Sequence, residues 1–297
     1  MKIKLGIAPI AWSNDDMPEL GGDTPIEQCL DEASQAGFTG IELGGKFPRN
    51  PGITNFLLDK YNLKMPGGWY GSLLRNRSVE EEWSAMQDHL SLLKLVNADV
   101  FVFADVSGSI QGDQTRKLST RPYVEDDEFT KYCKKINEIS NRLYDEGIPM
   151  SYHEHMGTVI QSEEDVDKFV NLTNDNTFLL YDTGHLMFAQ ANYERVLKNY
   201  ISRINHVHCK DIRKDIFINS IKNDLSFRKS FLEGVFTVPG DGCIDYNPLI
   251  KILYESKYNK WLVIEAEQDP KKANPLEYAK IGYKYLVSIL NKNGYFT

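Results

Sequence analysis

Short apolar runs alternate along the chain with longer segments whose apolar residues recur at helical spacing. The runs fall at residues 4–9, 38–43, 63–70, 99–106, 149–155, 178–183, 204–210 and 261–267. They are rich in β-branched and aromatic residues, as expected of strands buried on both faces of a parallel sheet. Several intervening segments open on helix-start signals. Thr24-Pro25-Ile26-Glu27 reads as an N-cap, a proline at the first helical position and a capping-box glutamate. Ser78-Val79-Glu80-Glu81 and Ser162-Glu163-Glu164-Asp165 put acids in a first turn, where they complement the helix dipole. Gly37 and Gly147 follow helical stretches, where a left-handed cap is favoured.

Eight strands alternating with helices predict either a closed barrel or an open doubly wound sheet. The phosphate-cradling GxGxxG of the open sheet is missing, because Gly6-Ile7-Ala8-Pro9 runs on into Trp-Ser-Asn. The chain has 297 residues, against about 250 for a typical (β/α)8 barrel. No linker or low-complexity stretch divides it. A single TIM barrel over residues 1–297 is therefore expected, with any site at the C-terminal ends of its strands. Residues 107–125 and 213–235 are the longest stretches without a strand and are expected to be loop lids on that face.

Composition narrows the function classes. Hydrophobic residues make up 41% of the chain, charged residues 26%, and the formal net charge is −8. That balance argues against nucleic acid as a partner, since such binding rests on Lys and Arg neutralising phosphates. Cys29, Cys133, Cys209 and Cys243 form no CxxC pair and fit a reducing compartment. The start lacks a signal-peptide pattern, and no apolar run approaches the roughly 20 residues of a membrane helix. A cytoplasmic protein without a membrane partner is expected.

Five of the six histidines lie between positions 153 and 208, at the ends of strand candidates. His153 and His155 end the fifth, His185 follows the sixth, His206 and His208 end the seventh, and Glu265 and Glu267 end the eighth. Side groups at successive strand ends converge at a barrel mouth. Burying so many ionisable groups without a metal or partners is costly. Alternation along a strand puts His153 and His155 on one face and Glu154 on the other. The expected metal ligands are His153, Asp182, His208 and Glu265. Two imidazoles and two carboxylates suit Mn, Co, Fe or Zn better than Ca. His89 lies within a helical stretch and is expected to be a surface residue.

At these residues the sequence resembles the sugar-phosphate isomerase/epimerase-like TIM-barrel superfamily, and more closely its inosose dehydratase family. The resemblance runs across almost the whole chain, through GIAPIAWSNDDMPELGGDTP, GFTGIELGGKFPR, GGWYGSLL, YHEHMGT, DTGH, HVHCKD, GVFTVPGDGCIDY and WLVIEAEQDPKKANP. The short motifs are weakly specific; the long opening stretch and the last two together are highly specific. The resemblance implies a hydro-lyase that removes water from a small polyol ketone, 2-keto-myo-inositol. It implies a divalent metal, Mn or Co first with Zn, Fe or Mg as alternatives, held by the same four residues. It also admits glutathione as a cofactor and a homo-oligomer. Many superfamily relatives carry Glu where this chain has His153, which leaves Glu154 as an alternative first ligand. That exchange also removes one of the two opposed glutamates that sugar epimerases use, so dehydration is favoured over the alternative, a polyol isomerase or epimerase. A DNA-repair nuclease or a non-catalytic binder is disfavoured further.

For that chemistry His155 and His185 are the expected acid/base pair, with their roles left open. Lys210 is expected to steady the enolate. Glu267 is expected to contact substrate or orient a ligand imidazole. Trp12, Asn14, Lys46, Trp69 and Asp241 are the remaining expected substrate contacts.

Overall fold

Strands form at all eight of the expected runs in the computed structural model, which describes residues 1–297. They are β1 (Lys4–Ile7), β2 (Gly40–Ile41), β3 (Trp69–Ser72), β4 (Phe101–Asp105), β5 (Met150–His153), β6 (Phe178–Asp182), β7 (Ile204–Cys209) and β8 (Trp261–Ile264). Their spatial order is β2-β1-β8-β7-β6-β5-β4-β3, every neighbouring pair parallel. Parallel bridges Gly40–Lys64 and Leu43–Gly68 join the two ends. The N–H groups of Ile41 and Leu43 donate to the carbonyls of Lys64 and Gly67, so the sheet closes into a barrel. β3 starts later than the expected run because Pro66 has no N–H to give a ladder.

The largest apolar cluster lies between barrel and helices, where Ile7, Ile41, Phe101, Phe103, Tyr152, Tyr181 and Ile264 turn outward. Inside the barrel, Trp261 and Val263 pack with Ala8, while Val100 and Val102 pack with Leu180. Gly40 makes room for this floor, since a Cβ there would lie 2.6 Å from the Trp261 ring. The floor is apolar and filled, so ionisable side chains gather above it at the mouth.

Ser78 and Ser162 form capping boxes with Glu81 and Asp165. Gly37 and Gly147 adopt the left-handed conformation, with φ of 105° and 78°. The helix Ile26–Ala36 starts one residue later than expected: Pro25 takes the N-cap position and Thr24 makes no cap. His89 is not a surface residue. It is half-buried between Tyr70 and Phe101, with Nε2 3.3 Å from the Gly68 carbonyl. Burial pushes its pKa down to about 4.

Residues 213–235 are not a loop. They hold helices Lys214–Lys222 and Phe227–Leu232, the second capped by Ser226. Ile216, Phe217, Ile221 and Phe227 pack around Phe188 and Phe236, which gives these helices an apolar seat of their own. Residues 107–125 are mostly irregular, with a short 3-10 turn at Leu118–Thr120. The two excursions are tied together. Leu118 N donates to Leu225 O at 3.0 Å, and Ser119 Oγ donates to Asp224 Oδ2 at 2.6 Å. No helix is long and apolar enough to cross a membrane.

Candidate metal centre and active-site cleft

Four donor atoms, one each from His153, Asp182, His208 and Glu265, lie within 4.8 Å of one another at the barrel mouth. Each is oriented by a second contact. The Nδ1–H of His153 donates to the Glu154 carbonyl, which leaves Nε2 unprotonated and 3.8 Å from Asp182 Oδ2. Asp182 ends β6 and caps the following helix, its Oδ1 accepting from the N–H groups of Gly184 (2.8 Å) and His185 (2.9 Å). His208 Nε2 donates to Glu42 Oε1 at 3.2 Å, which turns Nδ1 toward the cluster, 2.8 Å from Glu265 Oε2.

Asp182 Oδ2, His208 Nδ1 and Glu265 Oε2 are buried and make no well-aligned hydrogen bond, although Glu265 Oε2 lies at ion-pair distance from His208 Nδ1 and Lys210 Nζ. Three such donor atoms gathered at one buried point fit a shared cation. The field has the matching sign. Burial opposes ionisation of Asp182 and Glu265, yet Lys210 and His208 hold both carboxyls below their ordinary range. Burial also opposes the charged form of His208, but Glu42, Glu265 and Asp182 raise its proton affinity well above normal. The residues present fit a divalent metal, with Glu42 as the carboxylate that fixes a ligand imidazole.

Glu42 was not anticipated from sequence. It follows β2 and accepts from both His206 Nε2 (2.8 Å) and His208 Nε2. These two imidazoles hold its carboxyl at about 2 against the effect of burial. Glu154, the alternative first ligand, points elsewhere: its Oε1 accepts from Asp182 N at 3.0 Å, and it is absent from the cluster. Burial and the neighbouring Asp182 raise its carboxyl well above the ordinary range.

A cleft of about 690 Å³, including its open mouth, adjoins the cluster. His155, Glu267 and Trp69 line it together with three of the four cluster residues, His153, His208 and Glu265. The Trp69 ring packs edge-on against both His153 and His155 at 5.5 Å. His155 Nδ1 donates to the Met156 carbonyl at 2.8 Å, so its Nε2 is an unprotonated acceptor. Burial and the charge of Lys210 push its pKa down to about 4. Glu267 has the opposite character: burial raises its carboxyl to about 7, Lys210 lowering and Glu265 raising it further.

His185 and Lys210 stand behind this lining. The His185 ring lies 3.9 Å from that of His155 and stacks on Phe227 at 6.0 Å. Lys210 is fully buried, with Nζ 2.8 Å from Glu267 Oε1, 2.9 Å from His185 Nε2 and 3.1 Å from Glu265 Oε2. Those carboxylates keep it charged against burial.

Four expected substrate contacts do not line the cleft. Trp12 is buried and donates from Nε1 to Glu32 at 2.6 Å. Asn14 accepts from the backbone N–H groups of Asp16 and Met17, shaping its own loop. Lys46 reaches the Gly22 carbonyl. Asp241 pairs with Arg213 at 2.8 Å in a turn. Each of these side chains finds a local partner that the sequence does not advertise.

Barrel and site together define the class. Residues 30–289 match the xylose isomerase-like TIM-barrel family, and the chain belongs to it, within the sequence group of the inosose dehydratases. The inosose dehydratase of Clostridium perfringens is 41% identical over 287 residues, 96% of each chain. The rhizopine catabolism protein MocC of Rhizobium meliloti is also 41% identical, over 99% of this chain and 91% of its own. Among solved structures, the IolI protein with a bound zinc atom superposes with a TM-score of 0.72 at 17% identity, covering 98% of this chain and 99% of its own. The probable 3-DHS dehydratase AsbF of Bacillus anthracis gives a TM-score of 0.71 at 14% identity, covering 96% and 98%. These two similarities concern the fold.

Proposed function

We propose that the protein is a hydro-lyase of inositol catabolism that eliminates water from 2-keto-myo-inositol (scyllo-inosose). Relatives named inosose dehydratase at 41% identity support the substrate class, and the gathered donor atoms of His153, Asp182, His208 and Glu265 support a metal at this mouth. The observation that carries the reaction type is that His155 and Glu267 both line the cleft with donor atoms within 4.8 Å of each other. All hydroxyls of scyllo-inosose are equatorial. The hydrogen on the carbon beside the ketone and the hydroxyl on the next carbon therefore lie on the same ring face. Removing them is a syn elimination, which an adjacent base and acid can perform. Epimerisation instead needs a proton taken from one face and returned to the other.

His155 Nε2 takes the α-proton. It is free to do so because Nδ1 is committed to the Met156 carbonyl and the ring is neutral at ordinary pH. The C–H electron pair passes toward the ketone oxygen as an enolate, formed reversibly, which then collapses to the new double bond as the β-hydroxyl departs. Glu267, whose carboxyl is raised to about 7, gives that hydroxyl its proton, and water leaves. Lys210 holds Glu267 in place through its 2.8 Å contact. His185 backs the His155 ring. A divalent ion held by His153, Asp182, His208 and Glu265, Mn or Co first, would supply Lewis acidity toward the ketone.

Incubating metal-loaded protein with scyllo-inosose and following ultraviolet absorbance and mass tests the assignment. Dehydration yields an enone or diketone chromophore and a product lighter by one water. An isomer of unchanged mass without a chromophore would overturn it.

A further inference from the structure

The excursion after β4 contributes one polar side chain to the cleft lining, Gln111. Its Oε1 is buried and has no hydrogen-bond partner. Buried acceptors are nearly always satisfied in folded proteins, so an orphan one on a cleft-lining residue needs an explanation. Its backbone is fixed. Ile110 N donates to Gly157 O at 2.9 Å. Gly157 has φ of 85°, and a Cβ there would lie 3.0 Å from Gln111 N. The turn that follows His155 thus sets Gln111 directly. The far end of the excursion is tied to Leu225 and Asp224, so the amide rides on a loop anchored at both ends.

The other polar lining groups differ. Asp15 Oδ2 accepts from Gly45 N at 2.7 Å, and Asp16 is an exposed carboxyl, whose oxygens only accept when ionised. The histidines and glutamates belong to the candidate metal centre and the acid/base pair. Gln111 is the one amide in the lining, and an amide can accept from one hydroxyl while donating to the next. A vicinal diol presents that complement. The atoms of a polyol ketone ring beyond its reacting carbons consist of such diols.

We propose that Gln111 is a specificity-determining residue that reads a vicinal pair of hydroxyls on the ring, Oε1 accepting from one and Nε2 donating to its neighbour. This rests on the reading of the cleft as an inosose site. Sites built to hydrogen-bond a hydroxyl reject the analogue that lacks it, because their own polar groups are then left unpaired.

The test compares wild type, Gln111→Leu and Gln111→Glu on scyllo-inosose and on deoxy-inososes that each lack one hydroxyl beyond the reacting carbons. Wild type should prefer scyllo-inosose over the deoxy-inosose missing the hydroxyl that Oε1 reads. Gln111→Leu should lose on the order of tenfold in kcat/KM on scyllo-inosose, the usual worth of one or two such bonds, mostly through KM. It should lose less on that deoxy-inosose, where only the Nε2 bond remains to be lost, so the gap between the two substrates narrows. Gln111→Glu keeps the length and the acceptor but not the donor. It should keep the first preference and lose only the preference at the neighbouring hydroxyl, which decides the matter even if Gln111→Leu does not fold. An equal loss on every substrate, or no loss, would overturn the inference while leaving dehydration standing. A wild-type protein inert toward every inosose would overturn the reading of the cleft and this inference with it.

Discussion

Replacing Glu42 isolates the support of the proposed metal centre from the centre itself. Glu42 touches no cluster donor atom; it accepts from His206 Nε2 at 2.8 Å and from His208 Nε2 at 3.2 Å. Glu42→Ala leaves two buried N–H donors unpaired, each costing about 1–3 kcal/mol. The metal-free variant should lose about 2–6 kcal/mol of stability by that count. At roughly 2 °C per kcal/mol for a domain of this size or somewhat smaller, its melting temperature should fall by about 4–12 °C. Nothing then holds the His208 proton on Nε2, so Nδ1 is no longer reserved for the cluster. Metal affinity should fall by about 10–100-fold, the usual effect of losing a carboxylate behind a ligand imidazole. Glu42→Gln keeps an acceptor for one imidazole and should fall between. Competition with a chelating dye measures the affinity, and thermal melts of the metal-free proteins measure the stability. Wild-type metal affinity in both variants would refute the role given to Glu42.

Three further outcomes follow from the geometry. Chelation should abolish turnover and leave far-ultraviolet circular dichroism nearly unchanged, because the proposed ligands sit at strand ends above an independently packed barrel floor; global unfolding would contradict this. His155→Gln and Glu267→Gln should each keep metal and lose turnover by about 10²–10⁴-fold, the contribution of one proton-transfer group. Only His155→Gln should also stop exchange of the α-hydrogen with heavy water. Wild-type rate should fall below pH about 4 as His155 takes a proton, and above about 7 as Glu267 loses one; Glu267→Gln should lack the alkaline limb. His89 is half-buried and neutral, with a pKa lowered from 6.5 to about 4, so the unfolded chain binds the extra proton in that window. Its contribution to stability is complete above pH 6.5 and declines as pH falls toward 4, by about 3 kcal/mol. His89→Phe should flatten urea-measured stability between those two pH values, and an unaltered slope would contradict the assignment.

The barrel was legible because each buried parallel strand is a continuous apolar run, which a single sequence displays directly. The excursion at 213–235 was not, since its helices are short and seat Phe217 and Phe227 on a satellite cluster rather than on the barrel. The four cluster residues were legible because the alternation of strand and helix carries successive strand ends to one mouth. Glu42 escaped notice: it is a lone glutamate after a two-residue strand, and its imidazole partners lie 164 and 166 positions away. Gln111 sits in an irregular segment with no periodicity to place it. Trp12, Asn14 and Lys46 follow strands and Asp241 sits in a turn, but local hydrogen bonds turn them away from the cleft, which Trp69 lines from the start of β3. Of the expected acid/base pair, His185 lies behind the lining, while Glu267, expected only as a substrate or orienting contact, lies within it, a distinction of depth that strand alternation does not encode.

The most direct measurement of the central claim is an NMR time course of scyllo-inosose in heavy water with metal-loaded protein, run beside Asp182→Ala. The account predicts that wild type converts the inosose to a dehydrated enone or diketone. It predicts that Asp182→Ala, lacking the carboxylate that both caps its helix and faces His153 and His208, retains neither metal nor turnover. Conversion to an epimer without loss of water, or full dehydration by a metal-free Asp182→Ala that is still folded, would contradict it.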